Sequence, residues 1–329
     1  MAQRGFDEQL EALDGLKDRT LDADALSLIK KSLANRNNFI VAKAARLAED
    51  KNLVDLLPDL LAAFDRFFIN PEKSDPQCWA KNALSRALPK LECRDKKAFI
   101  RGLRHHQMEP VWGGKSDTAG TLRANCAHAL ISCDGLDNQQ LLILLIDPLV
   151  DKDKTVRVEA VRALAQLGEV ASPLLRLRAR LPGEEPEEML AACFNALLDI
   201  ERDAAIPFVA EFLEGAESSS AEAAFALAQT RSPQALTCLL DRHKRASEPW
   251  FAGVLLSAIA LTRLPQAADF LIAMIEREDR EALAAIEALA RLAPNAELYA
   301  RIEQAVEATG SPRLLKALQE HLPPPLSLE

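Results

Sequence analysis

The stretch DKDKTVRVEAVRALAQLG, residues 151–168, carries the pattern that decides the fold of this chain. Ala160, Ala163 and Leu164 are spaced i, i+3 and i+4, which places them on one stripe of an α-helix. Leu167 extends that stripe by a further turn. Small residues on the stripe let a neighbouring helix approach closely, while leucine fills the space between the two. The stretch therefore predicts a helix that packs along one side.

The same register, a small or apolar residue three positions before Ala-Leu, occurs eight times in the chain. The eight members are Ala80/Ala83/Leu84, Cys126/Ala129/Leu130, Ala160/Ala163/Leu164, Cys193/Ala196/Leu197, Ala223/Ala226/Leu227, Ser257/Ala260/Leu261, Ala285/Ala288/Leu289 and Leu314/Ala317/Leu318. Six of the seven intervals between them are 28 to 34 residues, and the remaining one is 46. A period of this size indicates stacked supersecondary units.

A second apolar segment lies between successive stripes. These segments are 53–68, 141–150, 174–181, 206–213, 236–243, 270–275 and 298–308. Five of them have a proline near their start, where its missing N–H costs no intrahelical hydrogen bond. These prolines are Pro58, Pro173, Pro207, Pro233 and Pro265. Each repeat is therefore predicted to be a helix, a short turn and a second helix.

The composition agrees with helices and excludes several other classes of protein. The 329 residues include 55 Ala and 54 Leu but only 12 Gly and 16 aromatic residues, which disfavours a β-rich fold. The longest aliphatic run, 141–146, is far shorter than the ~20 residues that a membrane-spanning helix needs. The first residues have no signal-peptide core, and the six cysteines form no C-x-x-C pair. We expect a cytoplasmic protein with buried free thiols and no membrane partner.

Residues 151–168 resemble the second helix of a HEAT repeat in the leading Asp151, the Val156-Arg157 pair and the closing Leu167-Gly168. The repeat period extends this resemblance over residues 38–322. The intervals are shorter than the ~40 to 47 residues of most HEAT and armadillo arrays, and they are closer to the short HEAT-like repeats named after phycobilisome lyases. The resemblance to bacterial HEAT-repeat proteins implies an all-α fold, a right-handed α-α superhelix of about eight to nine helical hairpins.

The predicted array has three parts. Residues 1–37 fit the stripe poorly and are predicted to form an N-terminal helical cap. Residues 38–322 form the repeat array, since each unit can bury its apolar faces only against its neighbours. Residues 323–329, which begin with three prolines, are predicted to be a disordered tail.

The 46-residue interval contains an irregular insertion at about 105–118, with Trp112 and the chain's one Gly-Gly pair. Insertions in repeat arrays emerge as loops on one face, often the binding face. One hypothesis makes the insertion a partner-binding loop, in which Trp112 anchors the partner and nearby cations contact anions. The other makes it a structural elbow, in which Trp112 fills the core and the histidines cap a helix C-terminus. The irregular segment 67–79 is expected beside it if adjacent repeats stack.

The candidate binding residues come from this insertion and its flanks. They are Arg101, Arg104, His105, His106, Trp112, Lys115, Asp117 and Arg123. Eight basic residues between 81 and 104 either attract phosphate or an acidic protein surface, or form a solvated helix face. The net charge of −9 disfavours a dedicated nucleic-acid binder.

No motif for a dinucleotide, a P-loop or a zincin site is present, so we expect no catalytic residue, no cofactor and no metal ligand. No histidine precedes a glutamate, which excludes the His-Glu iron sites of helical-repeat hydroxylases. The sequence favours a non-catalytic scaffold that binds a protein or peptide on its concave face. The alternative is a DNA-binding, alkylpurine-glycosylase-like protein that uses Trp112, Arg123 and Asp117. A bilin lyase is a weaker alternative, because no residue pattern identifies a tetrapyrrole pocket.

Overall fold

The computed structural model describes residues 2–181, 187–215, 217–292 and 294–322, in which the chain is mainly helical. The predicted all-α helical-repeat fold is confirmed. The contacts divide the chain into two compact units, Met1–Pro173 and Leu174–Glu329. The predicted tail, 323–329, lies outside the described residues.

The first unit contains a pair of short strands among its helices. Its elements are α1 (Ala2–Asp14), α2 (Ala23–Leu33), α3 (Asn38–Asp50), α4 (Leu57–Arg66), α5 (Pro71–Ser74), α6 (Trp79–Lys90), α7 (Lys96–Leu103), β1 (Met108–Val111), β2 (Gly114–Asp117), α8 (Gly120–Ala129), α9 (Asn138–Leu149) and α10 (Lys154–Ala165). Short 3-10 turns follow or precede several of these helices. Helices α2 and α3, α4 and α6, α7 and α8, and α9 and α10 pair as hairpins. The second members α3, α6, α8 and α10 also pack against one another in series.

The second unit repeats this arrangement. Its helices are α11 (Ser172–Arg180, which begins in the first unit), α12 (Glu187–Glu201), α13 (Ile206–Ala210), α14 (Glu217–Gln229), α15 (Pro233–Lys244), α16 (Pro249–Leu261), α17 (Pro265–Glu276), α18 (Ala282–Ala290), α19 (Ala296–Thr309) and α20 (Pro312–His321). From α13 onward each odd-numbered helix pairs with the next as a hairpin. Helices α12, α14, α16, α18 and α20 pack in series.

The Ala-Leu registers lie at these helix–helix contacts. Of the 24 residues in the eight triplets, 22 are buried. The two exceptions are Ser257 and Leu261 of α16, where the predicted register is wrong by one position. Leu256 and Ile259 are fully buried instead. Because α16 is apolar on nearly every face, its sequence fits several registers equally well.

Helix starts follow the predicted chemistry. Pro58, Pro207, Pro233 and Pro265 each occupy one of the first two positions of a helix. In α10 the Asp153 carboxylate accepts a hydrogen bond from the Thr155 N–H at 2.8 Å, which satisfies a donor that the helix cannot.

The sequence predicts an irregular loop at the insertion. The structure instead has a short antiparallel hairpin there, formed by β1 and β2. Trp112 and Gly113 form its two-residue turn. Gly113 has a φ of 87°, a left-handed conformation that glycine adopts without steric cost. The glycine that makes the insertion irregular in sequence is therefore what allows the chain to reverse.

Candidate binding cleft beside the hairpin

The two faces of the hairpin have different environments. Met108 pairs with Asp117, and Pro110 pairs with Lys115, so these four side chains share one face. Glu109 points to the other face and is buried, with 9% of its surface exposed. Glu109 is therefore turned into the protein, whereas Met108, Pro110 and Lys115 on the other face are exposed.

Glu109 anchors the hairpin to the segment before α6. Its carboxylate accepts hydrogen bonds from the Gln77 N–H at 2.6 Å, from the Thr118 hydroxyl at 2.9 Å and from the Gln107 side-chain amide. The Gln107 amide also donates to the Asp75 carbonyl at 2.9 Å. Burial alone raises the pKa of the Glu109 carboxyl, but these hydrogen bonds outweigh burial and lower it. The expected contact between the insertion and segment 67–79 is thus confirmed.

A buried ion pair lies beneath this anchor. Asp75 and Lys81 are both fully buried, with 3.0 Å between the Lys81 Nζ and an Asp75 carboxylate oxygen. Asp75 also accepts from the N–H groups of Ala80 at 2.8 Å and Lys81 at 3.0 Å, at the start of α6. The Lys81 ammonium donates to the Phe67 carbonyl. Lys81 is therefore not part of a solvated or ligand-binding face, which corrects that interpretation of the first basic residue of the 81–104 series.

Arg123 joins the hairpin to the loop before α10. Its Nε and Nη2 donate to the two Asp151 carboxylate oxygens at 2.8 and 2.9 Å, and its Nη1 donates to Asp117 at 2.7 Å and to the His105 carbonyl at 3.0 Å. Arg123 is 2% exposed. Since all three nitrogens are engaged, the expected contact between Arg123 and an external anion is not available, and its role here is structural.

Asp117 is held in the ionised form. It accepts hydrogen bonds from the N–H groups of Gln107 and Ala119, each at 3.0 Å, and its carboxylate lies 2.8 Å from the His106 ring. Burial alone raises the pKa of Asp117, but these hydrogen bonds and the charge of Arg123 lower it to about 2. Asp117 is therefore an ionised carboxylate that the protein itself hydrogen-bonds, and it is not a free acid.

A cleft of about 1020 Å³ lies between the free face of the hairpin and helix α9. Its walls are Leu103, Arg104, His106, Met108, Lys115, Ser116, Asp117, Arg123, Ile143, Leu144, Asp147, Pro148, Val150, Asp151, Lys152 and Asp153. The hairpin and the end of α7 form one wall, and α9 with the loop that follows it forms the other. Both walls belong to the first unit.

The cleft carries cations that no other described residue neutralises. Arg104, Lys115 and Lys152 are exposed, and within the described ranges none of them has an ion-pair partner. Asp147 is the corresponding unpaired anion among the described cleft residues. The other three aspartates of the cleft already accept hydrogen bonds from the protein. The walls as a whole carry four Lys and Arg side chains and four aspartates, but the charged groups left without a partner among the described residues are three cations and one anion.

The second wall also exposes apolar side chains, which the sequence analysis missed. Ile143 and Val150 of this wall are 61% and 62% exposed, and Met108 on the hairpin is 43% exposed. The sequence feature that could have predicted these exposed residues is the aliphatic run 141–146. A helix that buries a single stripe cannot bury every residue of so continuous a run. Leu141 and Leu145 occupy the core, so the run leaves Ile143 outside it.

The remaining predicted residues lie outside this cleft. Arg101 pairs with Asp65 and lies over the Phe68 ring, with 4.4 Å from its guanidinium carbon to the ring centroid. Arg101, His105 and the shared Arg104 line a separate groove of about 540 Å³. Burial lowers the pKa of His105. The sequence-predicted set therefore divides between two surfaces.

Trp112 projects entirely into solvent. Its exposed fraction is 102%, at the tip of the hairpin. The elbow hypothesis, in which Trp112 fills the core, is wrong in this respect. A large aromatic side chain that is fully exposed is available to a binding partner.

The buried thiols Cys78 and Cys126 are not activated. Burial raises the pKa of Cys78 to about 11 and also raises that of Cys126, so neither thiol is an activated nucleophile. Cys126 is fully buried, as its register position predicts. Among the described residues, no group of three or more His, Cys, Asp or Glu side chains is placed to hold a metal ion. No described helix has the length and apolarity to span a membrane.

Neither a known protein family nor a curated protein matches this sequence. One solved structure that the chain matches is the complex of CpcE and CpcF of phycocyanin lyase from Nostoc sp. PCC7120. It has 21% sequence identity over 73% of this chain and 92% of that chain, with a TM-score of 0.36. At this level of similarity neither an activity nor a partner transfers to the present protein.

Proposed function

We propose that this protein is a non-catalytic, HEAT-like scaffold of the cytoplasm, and that the cleft between the hairpin and α9 binds a segment of a partner protein. The HEAT-like assignment rests on the resemblance of residues 151–168. The sequence predicts a concave binding face, and the cleft is a more specific place for the partner to dock.

The observation that carries this proposal is the combination of exposed apolar side chains and unpaired cations on the walls of one cleft. Protein-binding surfaces combine an apolar centre with a polar rim. Ile143 and Val150 supply the apolar centre, and Arg104 and Lys152 supply the rim. The hairpin wall is fixed by Glu109 and the other wall by a helix, so little conformational entropy is lost on binding.

Photo-crosslinking tests the proposal. Benzoylphenylalanine is placed at Ile143. In a matched control it is placed at Val54, a side chain that is 43% exposed but lies outside the cleft. Both variants are irradiated in a lysate of the source cells, and adducts are identified by mass spectrometry. We expect a protein adduct that forms from position 143 and not from position 54.

Two results would contradict the proposal. Identical adduct patterns at the two positions would show that the cleft has no partner of its own. A nucleic-acid adduct at Ile143 would favour the DNA-binding alternative instead.

A further inference from the structure

The charges of the cleft are not equally available to a ligand. Asp151 accepts from Arg123 and from the Asp153 N–H at 2.8 Å, and Asp153 in turn caps α10. Asp117 accepts hydrogen bonds from Arg123, which it shares with Asp151, and from two backbone N–H groups. These three aspartates therefore already accept hydrogen bonds within the protein, and Arg123 offsets part of their negative charge.

The three exposed cations of the cleft have no such partners among the described residues. Arg104 at the end of α7, Lys115 on β2 and Lys152 before α10 lie on three different elements that border the same space. None of these cations has a partner among the described residues, and a fourth charged group, Asp147, carries the opposite sign. A ligand that complements the cleft must therefore bring negative charge to its rim and apolar groups to its centre.

We infer that the cleft selects an acidic protein segment, whose carboxylates meet Arg104, Lys115 and Lys152 and whose apolar side chains pack on Ile143 and Val150. This inference rests on the proposed function and adds the chemical class of the partner. Because the three cations lie on three different elements, a segment with several carboxylates matches them better than a single acidic residue does.

The same surface is a poor match for a nucleic acid. A nucleic-acid backbone carries a negative charge at every nucleotide, so a phosphate would be repelled by Asp147 where others are attracted by the cations. Single-stranded nucleic acids bind through aromatic side chains on which bases stack, and the residues that the structure describes on the cleft walls include no Phe, Tyr or Trp. An acidic polypeptide can place an apolar side chain where a nucleic acid has another phosphate.

A display selection with the full-length protein tests the inference. A library of random twelve-residue peptides is selected on the immobilised chain, and enriched sequences are read out. We expect enrichment of Asp and Glu together with Leu, Ile, Val or Phe. One enriched peptide is then synthesised, and its dissociation constant is measured by fluorescence anisotropy.

Charge reversal locates the binding of that peptide. The variant Lys115→Glu/Lys152→Glu should weaken the peptide's affinity by about tenfold or more, because rim charges that attracted it now repel it. The control variant Lys31→Glu/Lys90→Glu makes the same change in net charge at exposed lysines outside the cleft. It should leave the affinity within about twofold, and both variants should unfold at the wild-type temperature.

The possible failures are distinguishable. Enriched peptides that are basic or uncharged, and that Ile143→Asp nevertheless weakens, would overturn the acidic preference while leaving the docking site intact. Equal weakening by the two charge-reversal variants would also overturn it, since the effect would then come from net charge alone. If no peptide is enriched, or if Ile143→Asp has no effect on those enriched, both the inference and the proposed function are wrong.

Discussion

Arg123 and Trp112 both belong to the hairpin region, and the fold uses them in opposite ways. Arg123 is buried between two aspartates, so its removal would leave both carboxylates without their cation. Trp112 is fully exposed. Stability and binding therefore depend on different residues of the same insertion.

Replacing Arg123 with methionine tests this separation. The variant should lose about 3 kcal/mol of unfolding free energy, because Asp151 and Asp117 stay in place without a counter-charge. Trp112→Ala is the matched control and should change stability by less than about 0.5 kcal/mol, since the indole is fully exposed. Urea unfolding followed by circular dichroism measures both. Equal stability of the two variants would refute the structural role of Arg123.

The pKa of Asp117 predicts a contribution to stability that depends on pH. Its folded pKa, about 2, lies below the ordinary value of 3.8. A carboxylate with a lowered folded pKa stabilises the protein above its unfolded pKa, and the contribution is lost as the pH falls through the folded value. The stability difference between wild type and Asp117→Asn should therefore be constant above pH ~5 and shrink between about pH 4 and pH 2. A difference that is independent of pH down to 2 would contradict this assignment.

At the scale of elements, helices α7 and α8 touch through Gly102. A Cβ atom at position 102 would lie 2.3 Å from the Cys126 sulfur and 3.4 Å from the Phe64 ring. The first distance is too short for any real contact, so the two helices can approach this closely only with glycine at that position.

Substitutions at this contact should be strongly coupled. Gly102→Ala should destabilise the protein by about 2 kcal/mol through overpacking, despite the better helix propensity of alanine. Adding Cys126→Ala removes the sulfur and should restore part of that loss, so the double variant is more stable than the sum of the two single changes. Additive effects in a thermal or urea double-mutant cycle would show that the helices are not in this contact.

The elements were largely predictable because the relevant signals are local in sequence. Ala160, Ala163 and Leu164 lie within about one helix turn, and all three are buried where α10 packs against its neighbours. The register of α16 was not predictable, since that helix is apolar on all sides. The hairpin site was only partly predictable: Lys115 follows from the insertion, whereas Ile143 comes from a helix about 30 residues away and joins the site through packing alone.

The same limit explains the misassigned charges. The sequence shows that Lys81 and Arg123 are basic, but their burial depends on Asp75 in one case and on Asp151 in the other. Asp151 is 28 residues from Arg123 in sequence. No local pattern distinguishes a lysine that pairs in the core from one that projects into solvent, so only the structure shows that Arg104 and Lys115 have no ion-pair partner among the described residues and that Lys152 lines the same cleft.

At the scale of the whole molecule, a repeat array should confine damage to the neighbourhood where it occurs. Each repeat packs mainly on the next, so stability is close to a sum of local contributions. In the first unit, α6 packs against α3 and α8, whereas α16 packs against α14 and α18 in the second unit. A change in the core of α6 therefore acts directly on its own neighbours.

Lys81→Met tests this locality, because it leaves the buried Asp75 carboxylate without its ammonium partner and should cost about 3 kcal/mol locally. In hydrogen exchange followed by mass spectrometry, peptides from α3, α6 and α8 should exchange roughly a hundredfold faster, since about 2.7 kcal/mol corresponds to that factor. Peptides from α16 and α18 should keep their wild-type rates. Lys90→Met, at an exposed position at the end of the same helix, should leave both groups unchanged. Faster exchange in α16 and α18 equal to that in α6 would mean that the chain unfolds as one cooperative body, and the local description of its stability would be wrong.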